Sequence, residues 1–300
     1  MNLEKLNARC AIEELHFVEG PGGLVMAEID NDLAKARIST YAGQVLSFQP
    51  HGEEDDLLFV SEYAYYQPGK AIKGGMPVCW PWFGPDPEDK GRPGHGFVRA
   101  IQWEVLETQQ MENGATRLRL GITENDDTLK SWPHNFALAI EVTVGRQLDV
   151  SLITINTEES DLTLTQALHT YFKIGDIGEV AVEGLDGCIY IDKMDDSKEK
   201  TQQGTVTISE QTDRIYTGVT GDLVINDPSL SRRIRIRTEG SNSAVVWNPW
   251  IGQSAEMADF GDEEYKQMLC VETANAGPDQ ATVPRNGEYR LSLSYSIERD

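Results

Sequence analysis

The stretch YRLSLSYSI (residues 289–297) alternates apolar residues with small or charged ones: Tyr289, Leu291, Leu293, Tyr295 and Ile297 against Arg290, Ser292, Ser294 and Ser296. Successive side chains of an extended strand point to opposite faces, so this stretch is a strand with one buried and one wet face. The same period recurs upstream. Ile234 and Ile236 sit among Arg233, Arg235 and Arg237, and Leu148, Val150 and Leu152 lead into Ile153–Thr154–Ile155. Further strand-like runs fall at 24–29, 57–60, 116–122, 136–144, 162–168, 179–182, 204–208, 223–225 and 244–247. Turn residues punctuate them, as in Glu112–Asn113–Gly114, Asn226–Asp227–Pro228 and Asn286–Gly287. Helical signal is confined to two short segments, 2–9 and 254–260, with Ser254 as a plausible N-cap of the second. Many short strands with almost no helix predict an all-β chain, a large antiparallel β-sandwich. No linker, repeat or low-complexity segment divides it. The expectation is one domain over residues 1–300, with 1–20 as an N-terminal extension and the acidic 192–199 stretch as a solvated loop.

Composition narrows the function classes. A formal net charge of −23 argues against nucleic acid, which needs a broad basic face, and against anionic membrane surfaces. No run of 18 apolar residues could span a bilayer. The first residues, MNLEKLNARCAIEELHF, show no apolar signal-peptide core, so a cytoplasmic protein is expected. Cys10, Cys79, Cys188 and Cys270 are widely separated and read as reduced thiols.

Residues 69–100 break with this acidity: Lys70, Lys73, Lys90, Arg92 and Arg99 face only Asp86, Glu88 and Asp89, a local charge of 5 − 3 = +2. The segment also holds Trp80, Trp82, Phe83 and five prolines, and predicts a pocket for a small anion with an apolar or sugar-like face. Among the histidines, His16 and His51 read as surface residues and His134 as a loop residue. His95 lies between Gly94 and Gly96, where the backbone can approach a ligand closely. His169 ends the run 162–168, a position that is more often structural than catalytic until a partner is found. Glu272 is a partner candidate, because a carboxylate inside Met268–Leu269–Cys270–Val271–Glu272–Thr273–Ala274 must be paired or have its pKa raised. An edge glutamate facing water is an equal alternative at this point. Asp213, beside Arg214, could simply be neutralised by that neighbour. No phosphate-binding GxxxxGK[ST], HExxH, EF-hand or GxSxG motif occurs, so neither a metal nor a nucleotide cofactor is expected.

Five blocks together resemble one family. They are Ile72–Lys73–Gly74–Gly75–Met76–Pro77–Val78–Cys79–Trp80–Pro81–Trp82–Phe83–Gly84 with His95–Gly96–Phe97–Val98–Arg99, then Ala167–Leu168–His169–Thr170–Tyr171–Phe172, Thr212–Asp213–Arg214–Ile215–Tyr216, Trp247–Asn248–Pro249 and Cys270–Val271–Glu272–Thr273–Ala274. In this order they are similar to the hexose-6-phosphate mutarotases, or glucose-6-phosphate 1-epimerases. The resemblance implies a galactose-mutarotase-like β-supersandwich. It implies an isomerase that interconverts the anomers of glucose 6-phosphate by acid/base ring opening, with no cofactor. It matches His169 and Glu272 to the family's catalytic pair, and Lys73, His95, Arg99 and Asp213 to substrate-binding positions. Trp80, Trp82 or Trp247 could offer a ring face to the sugar, with a core position an equal alternative and the expected one for Trp82. Lys73 stands where the family commonly has arginine, so a point charge replaces a planar fork. Rival readings are an epimerase of unphosphorylated aldoses and a non-catalytic carbohydrate-binding protein. The expected partner is a small sugar phosphate, and a monomer is expected.

Overall fold

The alternating stretch lies within the strand Glu288–Glu298, where Leu291, Leu293 and Tyr295 are buried and the intervening serines are half-exposed. The structure, a computed structural model, describes residues 2–299. Glu288–Glu298 pairs antiparallel with Arg232–Glu239 on one side and Leu148–Asn156 on the other. These belong to a nine-stranded sheet that runs from Val206–Thr207 at one edge to Glu104–Gln110 at the other. An eight-stranded sheet shares its core. Leu168, Ala244, Val246 and Val271 of that sheet cluster with Leu118, Leu138, Val150, Ile234 and Leu291 of the first. Strand faces that alternate in this way can only be buried by a second layer, and the result is the expected sandwich. A four-stranded meander, from Leu15–Glu19 to Gln44–Pro50, completes the architecture.

Trp80 anchors the core. It is fully buried, its ring centroid lies 4.5 Å from that of Phe136 and 5.0 Å from that of Trp132, and its Nε1 donates to Thr154 Oγ1 at 3.0 Å. A buried indole whose N–H is satisfied contributes area without a polar penalty.

The helices were partly legible. Asn2 caps Leu3–Cys10, its side chain accepting from the Lys5 amide, and Leu6 and Cys10 join the main core. Residues 3–19, expected within an extension, thus include this helix and the strand Leu15–Glu19, whose Leu15 and Phe17 pack in the same core. The later helix is Trp250–Glu256 rather than 254–260. Ser254 lies inside it and donates to the Trp250 carbonyl at 2.5 Å, because the Asn248 side chain accepts from the Trp250 amide and starts the turn earlier. A third helix, Asp126–Ser131, was not anticipated; Asn125 and Thr128 form its capping box. The 57–60 run makes only isolated bridges, Leu58 to Phe172 and Val60 to Gly74. The 162–168 run splits into Leu162–Leu164 and Gln166–Leu168, which pair with different strands. Of the acidic loop, residues 198 and 199 open the strand Lys198–Thr201.

Candidate active site

The strand Met268–Asn275 is buried at all eight positions, which explains its unbroken apolar flanks around Glu272. It lies between Ser243–Asn248 and the pair Gln166–Leu168 and Tyr171–Lys173. Register then decides which side chains meet. Asp213, Trp247, Cys270 and Tyr171 stand in one row across four strands. Two residues along, and so on the same face, Ile215, Val245 and Glu272 form the next row. Leu168 opposes Thr273, which brings the following residue, His169, level with Glu272. Residues one step out of phase, such as Val246 and Val271, point into the main core instead.

This geometry joins the two candidates that sequence left apart. His169 Nε2 lies 3.3 Å from Glu272 Oε1, with His169 8 % exposed and Glu272 2 % exposed. The edge-strand alternative for Glu272 is thereby removed. His169 Nδ1 and Glu272 Oε2 are buried with no hydrogen-bond partner among the described residues. Burial drives both groups towards their neutral forms: it pushes the Glu272 carboxyl well up, aided by Asp213, and the His169 imidazole well down, aided by His95 and Arg99. A proton shared across the contact can sit on either group, as carboxyl with imidazole or as carboxylate with imidazolium, without any change in proton count.

His95 approaches from the 69–99 segment, its ring centroid 5.6 Å from that of His169 and 4.9 Å from that of Phe83. Its φ is 62°, its amide donates to the Gly84 carbonyl at 2.7 Å, and Gly96 next to it passes so close to Trp80 that any side chain there would collide with the Trp80 carbonyl. The glycine after His95 is thus required by contact as well as by conformation. Burial, with Arg99 and Lys73 nearby, lowers the His95 pKa to about 3, so its imidazole is neutral at pH 7.

Arg99 donates to the Gly94 carbonyl at 2.9 Å, and no carboxylate among the described residues pairs with it. Lys73 Nζ lies 3.5 Å from Asp259 Oδ1 and 3.5 Å from Met257 Sδ. Asp213 is not neutralised by Arg214, whose guanidinium lies over the Tyr190 ring 5.0 Å away. Neighbours on a strand face opposite ways, so burial raises the Asp213 pKa. Of the indoles, Trp247 alone touches the pair, 6.0 Å from His169 and 5.9 Å from Tyr171 between centroids. Trp80 is core, and Trp82 is buried beneath the Arg92 guanidinium at 4.4 Å. His16 and His51 are exposed, and His134 pairs with Glu158. Among the described residues no cluster of three or more His, Cys, Asp or Glu side chains could hold a metal ion.

Sequence reasoning missed Asp259 and the part played by Tyr171. Tyr171 was findable, because it lies two residues from His169 and so on its side of a strand. Asp259 was not, since only the fold carries the 257–260 turn to Lys73.

The sandwich has known counterparts. The aldose 1-epimerase family model matches residues 26–296, and the chain belongs to that family. It is 38% identical over 253 residues, 84% of this chain and 83% of the other, to an Escherichia coli K12 protein provisionally named a glucose-6-phosphate 1-epimerase. A plant relative with the same provisional name, from Cenchrus ciliaris, is 38% identical over 273 residues, 87% of this chain and 80% of its own. Among solved structures, the provisionally assigned mutarotase YeaD of Salmonella typhimurium superposes with a TM-score of 0.89 at 30% identity over 100% of both chains. A galactose mutarotase related enzyme of Lactobacillus acidophilus shares the fold, with a TM-score of 0.73 at 13% identity over 91% of this chain and 97% of that one. The galactose-mutarotase-like sandwich expected from the sequence is the fold observed.

Proposed function

We propose that the chain is a hexose-6-phosphate mutarotase acting on glucose 6-phosphate and related aldohexose 6-phosphates. The observation that carries this reading is the 3.3 Å contact between His169 Nε2 and Glu272 Oε1 on a face bordered by Lys73 and Arg99. Mutarotation needs one group to take the C1 hydroxyl proton and another to protonate the ring oxygen as the C1–O5 bond breaks. The aldehyde then turns about C1–C2, and closure returns both protons. Glu272 serves as the base and His169 as the acid during opening, and they exchange roles on closure, so the pair ends with the proton count it began with.

The reactive state for opening is a Glu272 carboxylate beside a protonated His169. Arg99 and Lys73 depress the imidazole, and Arg99 also favours the Glu272 carboxylate. A bound phosphate offsets their charge and so favours protonation of His169. Asp213 and His95 hold sugar hydroxyls, His95 as a neutral imidazole, and Trp247 offers its ring face. Four free cysteines support a reducing, cytoplasmic setting, with Cys79 pushed up to about 12 by burial and so inert. The shared core supports a single domain, and a monomer is part of the same proposal.

A second reading, an epimerase of free aldoses, draws on the Lys73–Asp259 contact, which already supplies Lys73 with an anion. Exchange NMR of α and β anomers separates the two. Glucose 6-phosphate is expected to exchange faster with protein than glucose does, and a preference for glucose overturns the phosphate reading. Glu272→Gln is expected to lower the rate by about 10²–10⁴-fold, the range of general acid–base catalysis. Undiminished exchange in that variant would remove the pair from the mechanism.

A further inference from the structure

An imidazole that delivers a proton along one direction must have its ring plane fixed as well as its position. The usual device is a hydrogen bond to the second ring nitrogen, which sets both tautomer and orientation. His169 lacks it, because Nδ1 is buried with no partner among the described residues. The contact from Nε2 to Glu272 is a weak substitute. It is long, at 3.3 Å, and restrains one ring atom near the χ2 axis, so it fixes the plane only loosely.

The ring that runs nearly parallel to the imidazole is that of Tyr171, 16° between planes and 5.0 Å between centroids, whereas His95 and Trp247 meet His169 edge to face. Tyr171 is itself held: it is 5 % exposed, sits in the short strand Tyr171–Lys173 opposite Cys270, and has Trp247 at 75° on its own face. The spacing is that of a strand, with Thr170 between them pointing away to Tyr295 at 2.7 Å.

We propose that Tyr171 is the positioning residue of the reaction, orienting the His169 imidazole by offset parallel stacking in place of the absent Nδ1 hydrogen bond. This rests on the reading of His169 as the acid. Stacking requires the aromatic ring and not the phenol oxygen, which separates this role from proton relay through Tyr171. A misdirected imidazole slows the chemical step while leaving sugar and phosphate contacts in place, so the defect belongs in kcat and not in KM.

The test compares Tyr171→Phe with Tyr171→Leu in anomer exchange of glucose 6-phosphate, beside His169→Gln. Tyr171→Phe is expected to keep kcat within about twofold, and Tyr171→Leu to lower it about 10–100-fold with KM nearly unchanged. The pH at which kcat turns over is expected to move in the leucine variant alone. An equal loss in both variants would overturn the proposal in favour of the hydroxyl, and an unchanged kcat in Tyr171→Leu would overturn it outright. If His169→Gln retains activity, the underlying reading fails instead. Should the leucine variant not fold, the unsubstituted protein still decides: NOEs from the His169 ring protons to the Tyr171 ring are expected, together with an upfield ring-current shift. Their absence would sink the stacking role.

Discussion

Single residues in the site are tuned by burial more than by partners. His95 has a pKa of about 3 against roughly 6.5 in an unfolded chain. Its folded value is depressed, so its contribution is whole above pH 6.5 and is lost as pH falls, because the unfolded chain binds the proton first. His95→Gln is therefore expected to retain more of its pH 7 stability at pH 4 than the unsubstituted protein, by on the order of a few kcal/mol, in urea titrations at the two pH values. Parallel losses would show that His95 does not carry that penalty. Arg99 makes the complementary case. With a single backbone acceptor and no carboxylate partner among the described residues, its charge is available to a ligand. Arg99→Ala is expected to raise KM for glucose 6-phosphate about 10–100-fold, the worth of a lost charge-assisted hydrogen bond, while barely changing it for glucose. Equal changes would place Arg99 against the sugar ring. At this scale the residues alone left His169, Asp213 and Glu272 open between structural and functional readings, and the family resemblance singled them out. A paired or raised-pKa Glu272 was legible from its apolar run, but the shifts of His95 and His169 were not, because desolvation depends on what packs around a group and not on its neighbours in the chain.

Elements position the site through a few buried side-chain bonds that no local pattern announces. Asn248 closes the strand Ser243–Asn248; its Nδ2 donates to the Tyr265 and Met268 carbonyls at 2.9 Å each, and its Oδ1 accepts from the Trp250 amide at 2.9 Å. One amide thus ties a strand end, a helix start and the strand of Glu272 together. Asn248→Ala leaves those groups unpaired and is expected to cost about 2–4 kcal/mol, read as a lower urea midpoint at unchanged slope. Activity assayed well below the transition should be retained in part, since Asn248 touches neither His169 nor Glu272. A loss below about 0.5 kcal/mol would mean that water replaces its bonds. Strands with strict alternation, such as Phe136–Val144, were readable to the residue. The early start of Trp250–Glu256 was not, because it is set by this amide from the preceding strand.

At the scale of the molecule, both large sheets contribute to one apolar cluster, which also takes in Leu6 and Phe17 near the N-terminus. A shared core couples the unfolding of its layers. Scanning calorimetry is expected to show a single transition across the chain, and two resolved transitions would contradict one cooperative unit. Truncating the centre of that core, Trp80→Ala, is expected to lower stability by about 3–5 kcal/mol. The net charge of −23 belongs to this scale too, since it leaves the cationic rim at Lys73 and Arg99 as a local exception and not a general property of the surface.

The sequence by itself determined the period of the strands, the apolar bed around Glu272, and the cationic, glycine-rich segment that forms one wall. Each of these is a local pattern, and local patterns survive translation into structure because side-chain alternation is built into the extended backbone. Only the tertiary structure decided that His169 meets Glu272, that Asp213 turns away from Arg214, that Trp247 and not Trp80 borders the pair, and that the Tyr171 ring runs nearly parallel to the imidazole. Those outcomes depend on register between strands far apart in the chain, where a slip of one residue would send every side chain to the other face.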